Sequence, residues 1–279
     1  MKAPESEQSP SAWHLRPPPV VITSMNNPAI KRIRRLRLRK ERGQSGLCFI
    51  EGVRFVMAAL QQGAEIETLV VAAGVETPPY LAQALRSGLP TLSVSPEVLQ
   101  ALAEREDAQG IGAVVRQRWE RLSEVQPDRG LGWVALDRIQ YPGNLGTILR
   151  ACDAVGMNGV ILLGETSDPY DPLAVRASMG ALFYQRLVRA RYEEFLAWKT
   201  RHRLPVIGTS PAAELDYRQL TFPVPCVLLM GCESVGLSEE QRMACDQVAR
   251  IPMAGQCDSL NVALATGILL YALYHQANR

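Results

Sequence analysis

One stretch in the last third of the chain decides the fold: residues 226–238 read CVLLMGCESVGLS. Its first five residues are a continuous apolar run, which is typical of a parallel strand whose two faces are both covered. The eight residues that follow include two glycines, a glutamate and two serines, which indicates a loop. Because parallel sheets bind ligands at the carboxyl ends of their strands, this loop is expected to belong to a functional site.

Residues 131–279 continue the same alternation of apolar strands and helical segments. The pattern predicts an α/β domain built on a parallel sheet, with no internal repeat. Strands are predicted at 133–136, 159–163, 187–189, 205–209, 226–230 and 247–251, and helices at 146–155, 173–179, 192–201, 238–245 and 260–276.

The preceding residues predict a smaller unit. Residues 1–21 are rich in proline and are expected to be a disordered tail. Residues 22–118 predict a small α/β sandwich that starts with a basic helix, and residues 119–130 are polar and predict a linker. Further helices are predicted at 53–62, 79–87 and 96–103, and strands at 68–71, 91–93 and 112–115.

The composition excludes several classes of protein. The 279 residues are 47% hydrophobic and 21% charged, as in an ordinary globular chain of one or two domains. The longest apolar stretch covers residues 260–274, which is shorter than the roughly 20 residues of a membrane span, and no apolar leader is visible. We therefore expect a cytoplasmic protein without membrane contact. The six cysteines form no C-x-x-C pair and none neighbours a histidine, which argues against a metal site or a disulfide framework.

Positive charge is concentrated in one segment. Eight basic residues and one acid, Glu41, lie between Lys31 and Arg42, so this segment carries +7 in a chain whose formal net charge is +2. Acids at helical spacing, which would favour a merely solvated helix face, are almost absent. The charge density instead predicts contact with RNA or DNA. The candidate contacts are Lys31, Arg34, Arg35, Arg37 and Arg39, with Arg176 as a further candidate.

Three loops at predicted strand ends carry polar side chains. The first contains Asn144 and leads to Arg150, the second contains Glu233, and the third leads to Ser259 and Asn261. Each has a structural alternative, since Asn144, Ser238 or Ser259 could simply cap a helix. No dinucleotide fingerprint, phosphate-binding Walker loop or Gly-x-Ser-x-Gly elbow occurs, which argues against a nucleotide-dependent oxidoreductase.

The three loops together resemble the signature motifs of the SpoU–TrmH class of SPOUT methyltransferases. N-x-G-x-x-x-R stands at 144–150, G-x-E-x-x-G-L-S at 231–238, and I-P-M followed by S-L-N-V at 251–262. The first unit is similar to the RNA-substrate-binding domain of that family, a ribosomal-protein-like α/β module. One departure is Tyr141, which stands where the family usually has an acid and is expected to alter how that loop is held.

The resemblance implies a trefoil-knotted catalytic domain at residues 131–279, a homodimer and S-adenosylmethionine as cofactor. It implies methyl transfer to a ribose 2′-hydroxyl of RNA, most naturally ribosomal RNA. By the same resemblance, Arg150 would handle the ribose or its phosphate, and Glu233 would orient Arg150 or Asn144. Ser259 and Asn261 would complete the catalytic set, and Thr209, Gly231, Ile251 and Leu260 would surround the cofactor.

Two alternatives remain from the sequence. One is methylation of transfer RNA or of a base nitrogen. The other is a non-catalytic RNA-binding protein on the same scaffold, although such a protein would have no reason to keep Asn144, Arg150, Glu233 and Asn261 together.

Overall fold

The computed structural model describes residues 20–74, 82, 88–103, 109–127 and 130–278. Nearly all of the predicted tail at 1–21 and of the predicted helix at 79–87 lies outside these residues. In the part that is described, no helix is both long enough and apolar enough to cross a membrane.

The second half of the chain forms a seven-stranded sheet in which every pair of neighbours is parallel. The predicted α/β class with a parallel sheet is therefore confirmed. The strand order is β10-β12-β9-β11-β6-β7-β8. The strands are β6 (Gly132–Asp137), β7 (Gly159–Leu163), β8 (Arg186–Ala190), β9 (Val206–Thr209), β10 (Leu215–Asp216), β11 (Cys226–Met230) and β12 (Gln247–Arg250).

The first half forms a separate five-stranded sheet of mixed direction, in the order β1-β4-β3-β5-β2. Strands β1, β4 and β3 pair in parallel, whereas β5 pairs antiparallel with both β3 and β2. The strands are β1 (Val21–Ile22), β2 (Leu47–Glu51), β3 (Ile66–Ala72), β4 (Thr91–Val94) and β5 (Ile111–Arg116).

The helices connect these strands. In chain order, the α-helices bounded within the described residues are α1 (Pro28–Arg35), α2 (Arg39–Ser45), α3 (Val53–Gln61), α4 (Pro96–Ala103), α5 (Pro142–Val155), α6 (Pro172–Ser178), α7 (Tyr192–His202), α8 (Glu239–Met243) and α9 (Val262–Ala277). Helix α5 begins four residues before the predicted start at 146, because Pro142 occupies the first turn, where its fixed φ is favourable.

The basic segment forms two short helices rather than one. Asn27 caps α1 by accepting a hydrogen bond from the Ala29 N–H, and Pro28 opens the helix. The chain then leaves the helix before α2. Ile30 is buried, but Leu38 is 59% exposed, so the apolar side chains of the segment face the core only in its first part.

Arg42 joins the two units and is not part of the charged surface. Its side chain is 1% exposed, and its Nε lies 2.7 Å from Asp168 Oδ2 while its Nη2 lies 3.2 Å from Asp171 Oδ2. The guanidinium also donates to the carbonyls of Leu36 and Arg37. Arg42 contributes to the +7 charge of its segment but is not one of the predicted RNA contacts. Its partners lie in the loop after β7 and in the cap of α6, so its charge is neutralised inside the protein.

The predicted linker at 119–130 packs against the second sheet where it is described. The Trp119 ring stacks edge-on with Tyr170 at 5.6 Å between centroids, and the Arg189 guanidinium lies 3.8 Å from the Trp119 ring centre. Leu122 and Val125 are buried in the core beneath β6 and β7. One continuous apolar core also runs from the first unit into the second, so the two units share buried surface.

Candidate active site

The loops after β6, β11 and β12 meet at one edge of the parallel sheet. Strand β11 lies next to β6 on one side and next to β9 on the other, and β9 pairs with β12. Since all these strands are parallel, their carboxyl ends share an edge. The three sequence motifs, which are separated by up to about a hundred residues, are thereby brought together.

Glu233 connects the second motif to the first. Its Oε2 accepts hydrogen bonds from the backbone N–H groups of Gln140 (3.1 Å) and Tyr141 (3.3 Å). Its Oε1 accepts one from the Asn144 side-chain amide. The sequence left open whether Glu233 orients Arg150 or Asn144, and the contact is with Asn144.

Asn144 in turn connects to the third motif. Its Oδ1 accepts a hydrogen bond of 3.0 Å from Asn261 Nδ2. Asn261 uses its own Oδ1 to accept from the N–H groups of Ala263 and Leu264, and so caps α9. Each side-chain amide is held in one orientation, because its oxygen and its nitrogen both have a hydrogen-bond partner.

Two of the capping alternatives are wrong. Asn144 lies inside the first turn of α5, whose N-cap is Tyr141. Asn261, and not Ser259, caps α9. The third is correct, since the Ser238 side chain accepts from the Gln241 N–H and caps α8.

Arg150 stands apart from this network. It is exposed on α5, and among the described residues no carboxylate or carbonyl pairs with its guanidinium. It lies eight residues beyond Pro142, which at 1.5 Å per residue is roughly 12 Å along the helix. Arg150 therefore lies about two turns inside the helix.

A cavity of about 350 Å³ opens beside the network. All four residues predicted to surround a cofactor line it: Thr209, Gly231, Ile251 and Leu260. Ser259 and Glu233 also line it, so the structure places Ser259 on a cavity wall. Arg150 does not line it.

Gly231 allows the second motif to fold tightly over the cavity. A Cβ at this position would lie 2.3 Å from the carbonyl carbon of Gly236 and 2.4 Å from the Leu237 nitrogen, so no side chain fits. Gly236 has φ +67°, and its N–H donates to the Cys232 carbonyl at 2.8 Å, which closes the turn. The Cys232 thiol is buried, and its pKa is lowered, chiefly by the hydrogen bond with Ser234.

Gly231→Ala is expected to abolish ligand binding in this cavity, because the added Cβ must push the 231–237 turn out of place. Calorimetry with S-adenosylmethionine on the full chain measures the effect. Gly255→Ala is the matched control, since a Cβ there meets nothing within 4 Å. Unchanged affinity in a folded Gly231→Ala variant would show that the 231–237 turn does not contribute to ligand binding.

Among the described residues, no group of three or more His, Cys, Asp or Glu side chains is arranged to hold a metal ion.

The fold and site define a two-unit α/β protein with a ligand cavity at the carboxyl edge of a parallel sheet and a basic unit beside it. Residues 133–271 match the SpoU rRNA Methylase family, and residues 27–113 match the MRM3-like substrate binding domain. This chain belongs to the SpoU rRNA methylase family, which confirms the resemblance seen in the motifs.

Relatives and solved structures agree with this assignment. A 23S rRNA (uridine(2479)-2′-O)-methyltransferase of Streptomyces viridochromogenes is 32% identical over 85% of this chain and 86% of its own. The 23S rRNA (guanosine(2553)-2′-O)-methyltransferase RlmP of Bacillus subtilis is 28% identical over 90% of this chain and 98% of its own. The AdoMet-bound rRNA methyltransferase from Sinorhizobium meliloti superimposes with a TM-score of 0.85 at 39% identity, covering 92% of this chain and 97% of its own.

Proposed function

We propose that this protein transfers a methyl group from S-adenosylmethionine to a ribose 2′-hydroxyl of ribosomal RNA. The observation that carries the proposal is the hydrogen-bonded set Glu233–Asn144–Asn261, which ties all three motifs together beside one cavity. The names of the relatives point to the same reaction and to 23S ribosomal RNA. A ribosomal RNA substrate would place the protein in the cytoplasm.

The cavity fits the proposed cofactor in size and chemistry. Its volume is within the range of small-molecule sites. Met230, Ile251 and Leu260 offer apolar surface for an adenine ring, and the Gly231 turn and Thr209 offer backbone and hydroxyl groups for polar parts. When bound, the cofactor supplies an electrophilic methyl group. No cysteine nucleophile is required for a ribose hydroxyl.

The protein's own contribution is therefore mainly positioning. Glu233 holds the backbone at 140–141 and the Asn144 amide, so the start of α5 cannot shift relative to the cavity. A rigid wall of this kind can place the hydroxyl in line with the methyl group. We assign Arg150 to the adjacent phosphate and to the developing alkoxide, because a guanidinium stays protonated and binds oxyanions bidentately.

We also propose a homodimer, as the family resemblance implies. Helices α5 and α9 pack together and leave an open, largely apolar depression of about 610 Å³ at the protein surface. Leu264 and Tyr271, which line it, are 55% and 47% exposed. Arg150 precedes Ala151 of the same depression. A second copy covering this face would bring each Arg150 to the interface, and light scattering on the purified protein tests the oligomeric state.

The RNA surface we propose is the outer side of α1 and α2. Lys31 and Arg34 are exposed and make no ion pair with any described residue.

The other candidate RNA contacts already have partners within the protein. Arg35 is paired with Glu41 at 2.6 Å, and Arg39 donates to the Thr166 carbonyl at 2.8 Å. Arg37 donates to the carbonyls of Ala101 and Leu102, and Arg176 is half-buried beside it in the crevice between the units.

Replacing Lys31 and Arg34 with alanine is expected to weaken RNA binding and to reduce the slope of log affinity against log salt by about 1 per lost phosphate contact. A filter-binding series at several salt concentrations measures the slope, with cofactor affinity as the control. An unchanged slope would show that Lys31 and Arg34 lie on a solvated helix face and do not contact RNA.

The direct test of the function is labelled methyl transfer to unmodified 16S, 23S and transfer RNA transcripts, followed by mapping of 2′-O-methyl positions. Methylation of ribosomal RNA supports the proposal. Methylation of transfer RNA alone would favour a tRNA enzyme, and no transfer at all would favour a non-catalytic RNA-binding protein.

A further inference from the structure

Tyr141 presents an open aromatic ring at the rim of the candidate active site. Its side chain is 56% exposed, and among the described residues its ring has no aromatic partner and its hydroxyl makes no hydrogen bond. Single exposed aromatics are common on protein surfaces. This one is distinguished by its place, since it directly precedes α5 and its backbone is bound by Glu233.

The backbone beneath the ring is held from both sides. The Tyr141 N–H donates to Glu233 Oε2 at 3.3 Å, and its carbonyl accepts from the N–H groups of Asn144 (3.1 Å) and Leu145 (3.3 Å). Pro142 follows and restricts the chain further. The position from which the ring projects is thus fixed to the same network as Asn144.

The ring itself rests on Gly143. A Cβ at residue 143 would lie 2.6 Å from Tyr141 Cε1 and 3.2 Å from Cδ1, so the ring occupies the space that a side chain there would need. One side of the ring is therefore supported by the first turn of α5, while much of the remainder faces solvent. A supported, solvent-facing ring loses little conformational freedom when it binds a planar ligand.

We propose that Tyr141 is a stacking platform for a nucleobase of the RNA segment that is methylated. The inference rests on the proposed function and extends it to a subsite for the base. RNA that is recognised at single nucleotides has its bases unstacked, and aromatic side chains replace the lost stacking. Tyr141 lies three residues from Asn144, so a base stacked on it would bring its own ribose or the neighbouring one to the edge of the cavity.

The test compares Tyr141→Phe, Tyr141→Trp, Tyr141→Leu and Tyr141→Ala in the full-length protein. Two quantities are measured on unmodified 16S and 23S transcripts: steady-state methyl transfer, and RNA affinity in the absence of cofactor. Phe and Trp are expected to stay within about threefold of the wild type. Leu and Ala are expected to raise the KM and Kd for RNA by roughly 5- to 100-fold, the range of one lost base stack.

Cofactor affinity and melting temperature serve as controls, and both are expected to stay unchanged in all four variants. Tyr184→Ala is the matched control, since Tyr184 is 43% exposed at a position where its hydroxyl reaches Gln61, and it should leave RNA affinity unchanged. Equal behaviour of Leu and Phe would overturn the proposal, because then the ring only fills space. Loss of cofactor affinity together with RNA affinity would also overturn it, because then the ring only supports the loop.

The two measurements separate this inference from the proposed function. If the wild type transfers no methyl group but RNA affinity still depends on an aromatic ring at 141, the enzyme assignment fails and the stacking subsite stands. If the wild type methylates RNA and every variant binds RNA equally, the subsite fails and the enzyme assignment stands.

Discussion

Arg150→Ala is expected to lower the single-turnover rate of methyl transfer by about 10²–10³-fold while the fold and the cofactor affinity stay intact. The physical reason is that an oxyanion contact made mainly in the transition state lowers the activation free energy by a few kcal/mol. Arg150 has no described partner within the folded chain and does not line the cofactor cavity, so its removal should cost little stability. Single-turnover kinetics, calorimetry and thermal melting on one preparation measure all three effects.

Two further variants make the Arg150 result specific. Arg150→Lys should rescue poorly, because a single ammonium cannot reproduce the planar guanidinium fork. Arg201→Ala removes another exposed helical arginine, in the last turn of α7, and should change nothing. A stable Arg150→Ala variant with a nearly normal rate would remove Arg150 from the catalytic set.

Arg42→Ala is expected to destabilise the protein by about 3–5 kcal/mol, because the buried Asp168 carboxylate loses its hydrogen-bonded cation and keeps only the more distant Arg189, at 3.8 Å. Asp168 is 5% exposed, and the variant also removes the hydrogen bonds that Arg42 donates to the Leu36 and Arg37 carbonyls. Urea unfolding measures the change in free energy.

An exposed ion pair provides the control for Arg42. Arg32 Nη1 lies 2.8 Å from Glu67 Oε1, but the Arg32 side chain is 65% exposed. Arg32→Ala should therefore cost less than about 1 kcal/mol. Similar losses of unfolding free energy in the two variants would show that the buried ion pair contributes no more stability than a surface pair.

The fold was predictable where apolar runs are continuous. The predicted strands at 159–163 and 226–230 agree with β7 and β11 residue by residue. A strand that is covered on both faces appears in the sequence as a continuous apolar run, and the ends of such a run are clear. The start of α5 was missed, because Pro142, Gly143 and Asn144 have the composition of a turn. The trefoil knot stays a prediction from the family resemblance, since threading of the chain leaves no trace in hydrophobic periodicity.

The site was predictable as a set of residues but not as a set of contacts. The motifs identified Asn144, Glu233 and Asn261, yet only the strand order, which puts β11 beside β6, makes Glu233 a partner of Asn144. Arg42 is a residue whose partners the motifs did not identify. It stands between Glu41 and Gly43 at the end of a basic segment, and its partner Asp168 lies 126 residues away, so nothing in the local sequence indicates that its side chain is buried.

The buried ion pair of Arg42 with Asp168 fixes how the two units of the protein are spaced. Every nucleotide of RNA offers the same 2′-hydroxyl, so the reacting group itself cannot identify the target. Arg42 ties the end of the basic segment to the loop after β7, and the Ser167 hydroxyl of that loop donates to the Gln140 carbonyl at the catalytic edge. If α1 and α2 bind RNA as proposed, these contacts fix the distance between that surface and the candidate active site. Under that proposal, a methylated RNA must fold so that the segment bound by α1 and α2 and the target ribose lie at this same distance from each other.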